Sequence, residues 1–369
     1  MRTEDEVRHT VRELWSQVLE NDELAGDTDF FAAGGSSLKS LILLTELNDA
    51  FATEFEPAEL ADCRTLDAQS TAIWNRLTRA GTTPGRRRTA VLPLTKPTTD
   101  PGTPTIIAVH DISGDLYGYT SLARELSGRA HLYGIKLTHE EFEAPRSLSV
   151  PDLAEEYVTA LATELDGPRP AVLLGWSLGG PIAFEMAKLL DTQGRPPHRL
   201  ILLDAPYGID LPNPDTARDF TPEHERALLD GFPWLGDLPD GGSSDDLWRT
   251  VRTLLDAPAK DRLTTELQHR FPLLARSVPH LASLNESEFI GYLNRFRSLL
   301  HAARALAPEG TTTAPIDFLA ATESPTYDPR WSSHTTASFR HVPLNGDHFT
   351  LLDRTHAPAT ARAVLSGSR

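Results

Sequence analysis

Ser177 stands in Gly175-Trp176-Ser177-Leu178-Gly179, where an apolar run gives way to a helical pattern. A serine flanked by small residues on a tight strand-to-helix turn presents its hydroxyl as a nucleophile. The free amides at the start of the following helix favour negative charge beside it. A serine hydroxyl needs a base to take its proton, so a histidine and an orienting acid are expected downstream. Among 13 histidines, His348 follows the last apolar run and falls in the loop Gly346-Asp347-His348-Phe349. His341 lies inside that run and His356 in the closing helical pattern. Two acids compete: Asp204 ends the run Leu200-Ile201-Leu202-Leu203, and Glu323 follows the run 316–321. The chemistry also needs donors for a developing oxyanion. The loop His110-Asp111-Ile112-Ser113-Gly114 follows another apolar run, so the backbone amides of Ile112 and Leu178 are the candidates.

A second reactive position lies near the N-terminus, in Asp29-Phe30-Phe31-Ala32-Ala33-Gly34-Gly35-Ser36-Ser37-Leu38. The glycines free the backbone ahead of a helix that begins at an exposed serine. Such a hydroxyl suits a modifying enzyme, but an ordinary N-cap at Ser36 or Ser37 has the same appearance. The residues alone leave both readings open.

Two kinds of framework must hold these sites. In the first 80 residues Val7, Val11, Leu14, Trp15, Val18 and Leu19 recur at helical spacing. A Leu-rich helical run covers 37–49, a short segment 57–60, and a last helix about 67–77. From 82 to 104 Thr, Pro, Gly and Arg86-Arg87-Arg88 predict an exposed linker, with Val91–Leu94 as an edge strand because Pro93 cannot donate to a central ladder. Beyond it, apolar runs at 105–109, 132–137, 171–175 and 200–203 predict buried parallel strands. Helices are expected at 116–126, 150–165 and 180–190, which is α/β order. About 100 residues then break that order, with amphipathic helices marked by Leu247, Val251, Leu254 and Leu255 and by Phe289, Leu293, Phe296 and Leu300; Asn285 and Glu288 suit a capping box. Strands at 316–321 and 339–344 and a helix at 355–365 restore it.

The 369 residues carry a formal net charge of −17, unevenly spread: residues 1–80 hold 16 Asp and Glu against 7 Lys and Arg. A nucleic-acid partner is excluded by that sign. At 40% hydrophobic residues the chain is expected to fold into two or three domains. One cysteine, Cys63, allows neither an internal disulfide nor a zinc framework, so no metal site is expected. The charged start lacks the apolar run of a signal peptide, and no stretch suits a membrane span, which predicts a cytoplasmic setting.

Residues 4–77 resemble a peptidyl carrier protein of nonribosomal peptide synthetases, through Phe-Phe and Gly-Gly ahead of Ser-Leu. The resemblance implies 4′-phosphopantetheine on the serine directly before the leucine, Ser37, with Ser36 at a variable position. Residues from about 90 to 366 resemble the type I thioesterase that ends such synthetases. The supporting motifs are Gly-Trp-Ser-Leu-Gly-Gly at 175–180, the strand ending at Asp204, and Gly-Asp-His-Phe at 346–349. The order Ser, Asp, His is also that of α/β-hydrolases. The family puts its acid after this strand, which favours Asp204 over Glu323, and it carries a mobile helical lid, here about 208–310. Asp111 departs from the small residue or proline expected in the oxyanion loop.

The implied architecture is multidomain: a small all-α four-helix carrier bundle over 1–80, a linker over 81–104, and an α/β-hydrolase domain with a helical lid insertion over 105–369. The implied function is transfer of an acyl or peptidyl chain from the phosphopantetheine thioester to Ser177, and its release by hydrolysis or cyclisation. Lid aromatics such as Phe232, Trp234, Phe289 and Phe296 are candidates for excluding water. A carrier scaffold presenting a tethered aminoacyl group to tailoring enzymes, or an editing thioesterase acting in trans, are the alternatives. The partners implied are a phosphopantetheinyl transferase, adenylation and condensation enzymes acting in trans, and a peptidyl or aminoacyl thioester.

Overall fold

The computed structural model of the chain describes residues 4–366 apart from 20, 22–23, 36–38, 41–42, 45–46, 48–49, 52–62, 80–88, 97–99, 101, 139–141, 166–170, 209–218, 236–237, 239–240, 271, 278–280, 282–283, 285, 305 and 325–326. The chain divides into two compact units, Met1–Arg86 and Arg87–Arg369.

In the first unit α1 (Glu4–Leu19) and α2 (Leu66–Arg79) pack on each other. Val7, Val11, Trp15 and Leu19 form the buried stripe of α1, meeting Phe30, Leu43, Leu44, Leu47, Leu66 and Ile73. The Trp15 indole donates to Gln69 Oε1 at 2.9 Å, so its one polar atom is satisfied inside the core. The expected short segment at 57–60 lies outside the described residues.

The second unit is built on a seven-stranded sheet in the order β1-β3-β2-β4-β5-β6-β7. The strands are β1 (Thr89–Pro93), β2 (Thr105–Val109), β3 (His131–Leu137), β4 (Val172–Trp176), β5 (Arg199–Leu203), β6 (Ile316–Ala321) and β7 (Phe339–Leu344). All neighbours are parallel except β1, which runs antiparallel to β3 at the edge, where the proline at its end costs no central hydrogen bond. The edge strand expected at Val91–Leu94 within the 81–104 stretch is found at Thr89–Pro93, paired with the free edge of β3.

Helices cover both faces. On one side α4 (Val150–Ala160) and α5 (Gly179–Thr192) pack over Ile107, Val109, Leu173 and Leu202. On the other, α3 (Thr120–Leu126) and α11 (Ala357–Leu365) cover Ile106, Ala108, Leu174 and Ile201. Strands covered on both faces must be apolar throughout, which explains their unbroken hydrophobic runs.

Between β5 and β6 the described residues form five α-helices: α6 (Pro222–Leu229), α7 (Ser244–Leu254), α8 (Ala257–Arg270), α9 (Pro272–Ser277) and α10 (Glu286–Arg304). A capping box, Ser243 with Asp246, starts α7. The capping residue expected for α10, Asn285, lies outside the described residues. Among the described residues no helix is long and apolar enough to cross a membrane, and none group into a metal-binding cluster.

Candidate active site

Three strand ends converge at one edge of the sheet. Ser177 follows β4 and opens α5 with φ +55°, in the left-handed region that side chains rarely adopt. The turn tolerates no side chain at Gly175 or Gly179. A Cβ at Gly175 would lie 2.1 Å from the Gly179 carbonyl oxygen, and one at Gly179 would lie 2.5 Å from the carbonyl oxygens of Val109 and His110. The glycines thus let the Ser177 turn press against the loop after β2.

Asp204 follows β5, also with positive φ (+46°), and is fully buried. Its Oδ1 accepts from the amide of Ala321 at 2.9 Å, which fixes the carboxylate. Its Oδ2 lies 2.7 Å from His348 Nδ1, and His348 Nε2 lies 3.0 Å from Ser177 Oγ. A carboxylate at Nδ1 keeps the ring proton there and leaves Nε2 to accept from the serine. The backbone of His348 is held too: its amide donates to Ser324 Oγ at 2.6 Å and its carbonyl accepts from Trp176 Nε1 at 3.1 Å. Glu323, the rival acid, is exposed, and among the described residues the carboxylate that meets His348 is Asp204. His341 stacks on Tyr327, and His356 pairs with Asp353.

The loop after β2 lies beneath this group and is buried from His110 to Leu116, with Gly114 in the left-handed region at φ +78°. Among the described residues no acceptor occupies the amide N–H of Ile112 or that of Leu178. Unpaired amides of this kind are what an oxyanion would use. His110 bonds through Nδ1 to the Asp111 carbonyl (2.6 Å) and through Nε2 to the Tyr157 hydroxyl; burial pushes it down to about 4, so it stays neutral. Asp111 Oδ1 accepts from the amide (3.0 Å) and hydroxyl (2.5 Å) of Ser113, and burial raises its carboxyl to about 6 against those bonds.

Sequence reasoning missed Tyr119 and Ser324. The Tyr119 hydroxyl donates to Val109 O (2.8 Å) and accepts from Trp176 N (3.0 Å), tying the ends of β2 and β4 together. Neither has a motif signal; each is recognisable only once the strand ends are side by side.

Of the insertion aromatics, Phe232 and Phe296 line a cavity of about 320 Å³ walled by α6 to α10. Phe289 is buried in the insertion core. The Trp234 indole donates to Glu266 and carries the Arg262 guanidinium on its face. Neither Ser177 nor His348 lines that cavity.

In the first unit, Asp29 Oδ1 accepts from the amides of Phe31 (2.9 Å) and Ala32 (3.1 Å), starting the turn that leads toward the Ser-Ser pair. Gly34 has φ +96°, and a Cβ at Gly35 would strike the Phe30 ring at 2.4 Å. Ser36 and Ser37 themselves lie outside the described residues.

Comparison with known proteins matches the family described as "Thioesterase domain" over residues 104–366 and "Phosphopantetheine attachment site" over 9–73. A dimodular nonribosomal peptide synthase of Bacillus subtilis (strain 168) is 25% identical over 286 residues, covering 77% of this chain and 11% of that protein. The malpinin synthetase of Mortierella alpina is 24% identical over 225 residues, covering 61% of this chain and 3% of that one. The chain thus spans only a small part of the length of the curated relatives it matches. Among solved structures, holo-AB3403, a four-domain nonribosomal peptide synthetase bound to AMP and glycine, superposes with TM-score 0.55 at 20% identity, covering 99% of this chain and 26% of that one. The Vlm2 thioesterase domain bound with a dodecadepsipeptide superposes with TM-score 0.50 at 22% identity, covering 75% and 97%. These likenesses establish a shared fold.

Proposed function

Because the chain belongs to the thioesterase domain family and carries a phosphopantetheine attachment domain ahead of that domain, we propose that it releases an acyl or peptidyl chain held as a carrier-bound thioester in nonribosomal peptide biosynthesis. The single observation that carries this reading is the continuous line from Asp204 through His348 to Ser177, at 2.7 and 3.0 Å. A scaffold that only presents its cargo has no use for a serine held in a strained turn against a histidine.

In the proposed mechanism His348 Nε2 takes the proton of Ser177 as Oγ attacks the thioester carbonyl. Asp204 holds the ring and stabilises the charge it gains. The amides of Ile112 and Leu178 receive the oxyanion; losing one such donor typically costs roughly 2.7–4 kcal/mol of transition-state stabilisation. His348 returns the proton to the departing thiol, leaving the acyl group as an ester on Ser177. Water, or an amine or hydroxyl of the chain itself, then displaces it with His348 again as base, giving an acid or a ring.

We assign 4′-phosphopantetheine to Ser37, on the carrier unit, which we read as a four-helix bundle. The Asp29-capped turn and the glycine that only a bare Cα lets pass the Phe30 ring fit a loop built to present that serine. When bound there, the group supplies the thiol that carries the acyl chain. We read the insertion as the lid, about 208–310. The partners proposed are a phosphopantetheinyl transferase and adenylation and condensation enzymes acting in trans. With Cys63 as its single cysteine the chain can form no internal disulfide, which fits action in the reducing cytoplasm.

The test is to load Ser37 from a synthetic peptidyl-coenzyme A with a phosphopantetheinyl transferase, which transfers peptidyl-phosphopantetheine and releases adenosine 3′,5′-bisphosphate, and to follow the acyl group by mass spectrometry. Loss of the acyl group from the wild type but not from Ser177→Ala is expected. Equal persistence in both overturns the reading.

A further inference from the structure

The insertion's longest helix reaches back to the oxyanion loop through buried charges. Arg295, on α10, has no solvent exposure. Its Nη2 donates to Asp115 Oδ2 at 3.3 Å and its Nη1 to the Leu137 carbonyl at 2.6 Å. The Tyr292 hydroxyl, one turn earlier on α10, donates to the same Asp115 oxygen at 3.0 Å. Asp115 in turn gives its amide to Ser113 Oγ (3.1 Å), and Ser113 gives both hydroxyl and amide to Asp111 Oδ1. Leu137 closes the ring by donating its amide to the Gly114 carbonyl at 3.1 Å.

Gly114 is part of the same arrangement. A Cβ there would lie 2.7 Å from Arg295 Cδ and Nε, so the arginine stem lies flat on the loop backbone. Burial alone would raise the Asp115 carboxyl, but the charges of Lys136 and Arg295 hold it well below the usual carboxylate range. The pair is therefore charged at any working pH.

The Ile112 amide sits in the middle of this ring without an acceptor. An unsatisfied buried donor costs about 1–3 kcal/mol, so a free loop would relax toward a shape that pairs it. The bonds from Ser113 to Asp111, which bracket Ile112, and the bond from Arg295 to Asp115 just beyond it oppose that relaxation. A buried ion pair is no more stabilising than apolar packing of similar volume, so what this one supplies is a fixed geometry.

We propose that Arg295 is a positioning residue for the oxyanion donor: through Asp115 and Ser113 it holds the 110–116 loop in the shape that keeps the Ile112 amide available. The proposal rests on the thioesterase reading above. It makes the insertion a structural part of the reaction centre and not only a cover over it.

The experiment uses the full chain with Arg295→Met, Arg295→Lys and Tyr292→Phe. It measures kcat and KM on an aminoacyl-pantetheine thioester, active sites by titration, and affinity for an aminoacyl boronic acid, which adds to Ser177 as a tetrahedral anion. Arg295→Met should lower kcat per active site about 30-fold, below the 10²–10³ of a deleted donor, with KM changed less than about 3-fold. Boronate affinity should fall in parallel with kcat/KM, and the pH inflection of kcat/KM should stay in place. Arg295→Lys should recover part of the loss, and Tyr292→Phe, which keeps the ion pair, should lose about 3-fold. Unchanged kcat per active site in Arg295→Met overturns the proposal, as does a loss with boronate affinity unmoved. If Arg295→Met does not fold, the same two readings on Arg295→Lys and Tyr292→Phe decide. Failure of the thioesterase reading is distinct, since it shows as an acyl group that persists on the wild type, or as release that does not depend on Ser177.

Discussion

The sheet and the insertion bury different kinds of side chain. Along β2, β4, β5 and β6 the buried residues are apolar, mostly Ile, Leu, Val and Ala, and the charged exceptions, Arg199 and Asp317, pair with each other at the opposite end of the strands from Ser177 and Asp204. The insertion instead buries Asn294, Arg295 and Ser298 on α10 and Glu225 on α6, and it encloses a cavity. Apolar strands locked on both faces hold strand ends in place with no polar partner to satisfy. Helices joined by ion pairs have geometry that depends on each partner being present. The proposed triad thus hangs on the first kind of support and the proposed oxyanion loop partly on the second.

The largest expected effect tests the first half of this comparison. Ser177→Ala or His348→Ala should lower release about 10⁴-fold or more, and Asp204→Asn about 10⁴-fold, while Glu323→Gln should change it less than about 2-fold. Single-turnover release from loaded carrier measures this, and thermal unfolding should barely move, because Ser177 and His348 add little to the apolar support beneath them. Asp204→Asn is the sharper probe, since its carboxylate also holds the Ala321 amide. A large activity loss in Glu323→Gln would break the assignment of the acid.

The two regions also differ in how much of them is legible from the amino-acid order. The strand runs, the order Ser177, Asp204, His348 and the loop context of His348 are readable because buried parallel strands must be continuously apolar and deliver the loops at their C-terminal ends to one edge. Choosing Asp204 over Glu323 needed the family resemblance, since both come after strands; the distinction is spatial, Asp204 buried and Glu323 exposed. The insertion was legible only at α7 and part of α10. Helices α6, α8 and α9 carry Glu, Arg, Lys and His through faces that are partly buried, which hides the apolar stripe. The Asp115–Arg295 pair joins residues 180 apart in sequence, and no local pattern could announce it.

An intermediate effect tests the second half. Glu225 accepts from both Nη atoms of Arg297 at 2.7 and 2.8 Å and from the Trp248 indole N–H at 2.6 Å, all within the insertion. Arg297→Met leaves a buried carboxylate with one neutral donor and should destabilise the insertion by about 3–5 kcal/mol. Glu225→Leu with Arg297→Met should recover most of that loss. Amide hydrogen exchange over α6, α7 and α10 measures both, with protection in β4 and β5 expected to change least. Equal deprotection of strands and insertion would mean that the two regions unfold as one, and the comparison would fail.

The smallest effect concerns Asp111, where the two kinds of support meet. Burial raises its carboxyl to about 6 from the ordinary 3.8, so the folded chain binds this proton more tightly than the unfolded chain does. Between about pH 4 and 6 the native state holds more protons here, and unfolding free energy falls as pH rises. The stabilising contribution is complete below about 4 and lost through about 6; a shift of this size corresponds to roughly 3 kcal/mol. Asp111→Asn keeps an oxygen for the Ser113 amide and hydroxyl but has no proton to lose. Its stability relative to the wild type should therefore rise by about 2 kcal/mol between about pH 4.5 and 7.5, in denaturant titrations at the two pH values. Other titrating groups are common to both proteins and cancel in the difference. A gap that stays flat with pH would mean that the carboxylate is already compensated in the folded loop. The charge beside the oxyanion amides would then be balanced by protein groups, and the loop would resemble the insertion in its supports more than the sheet.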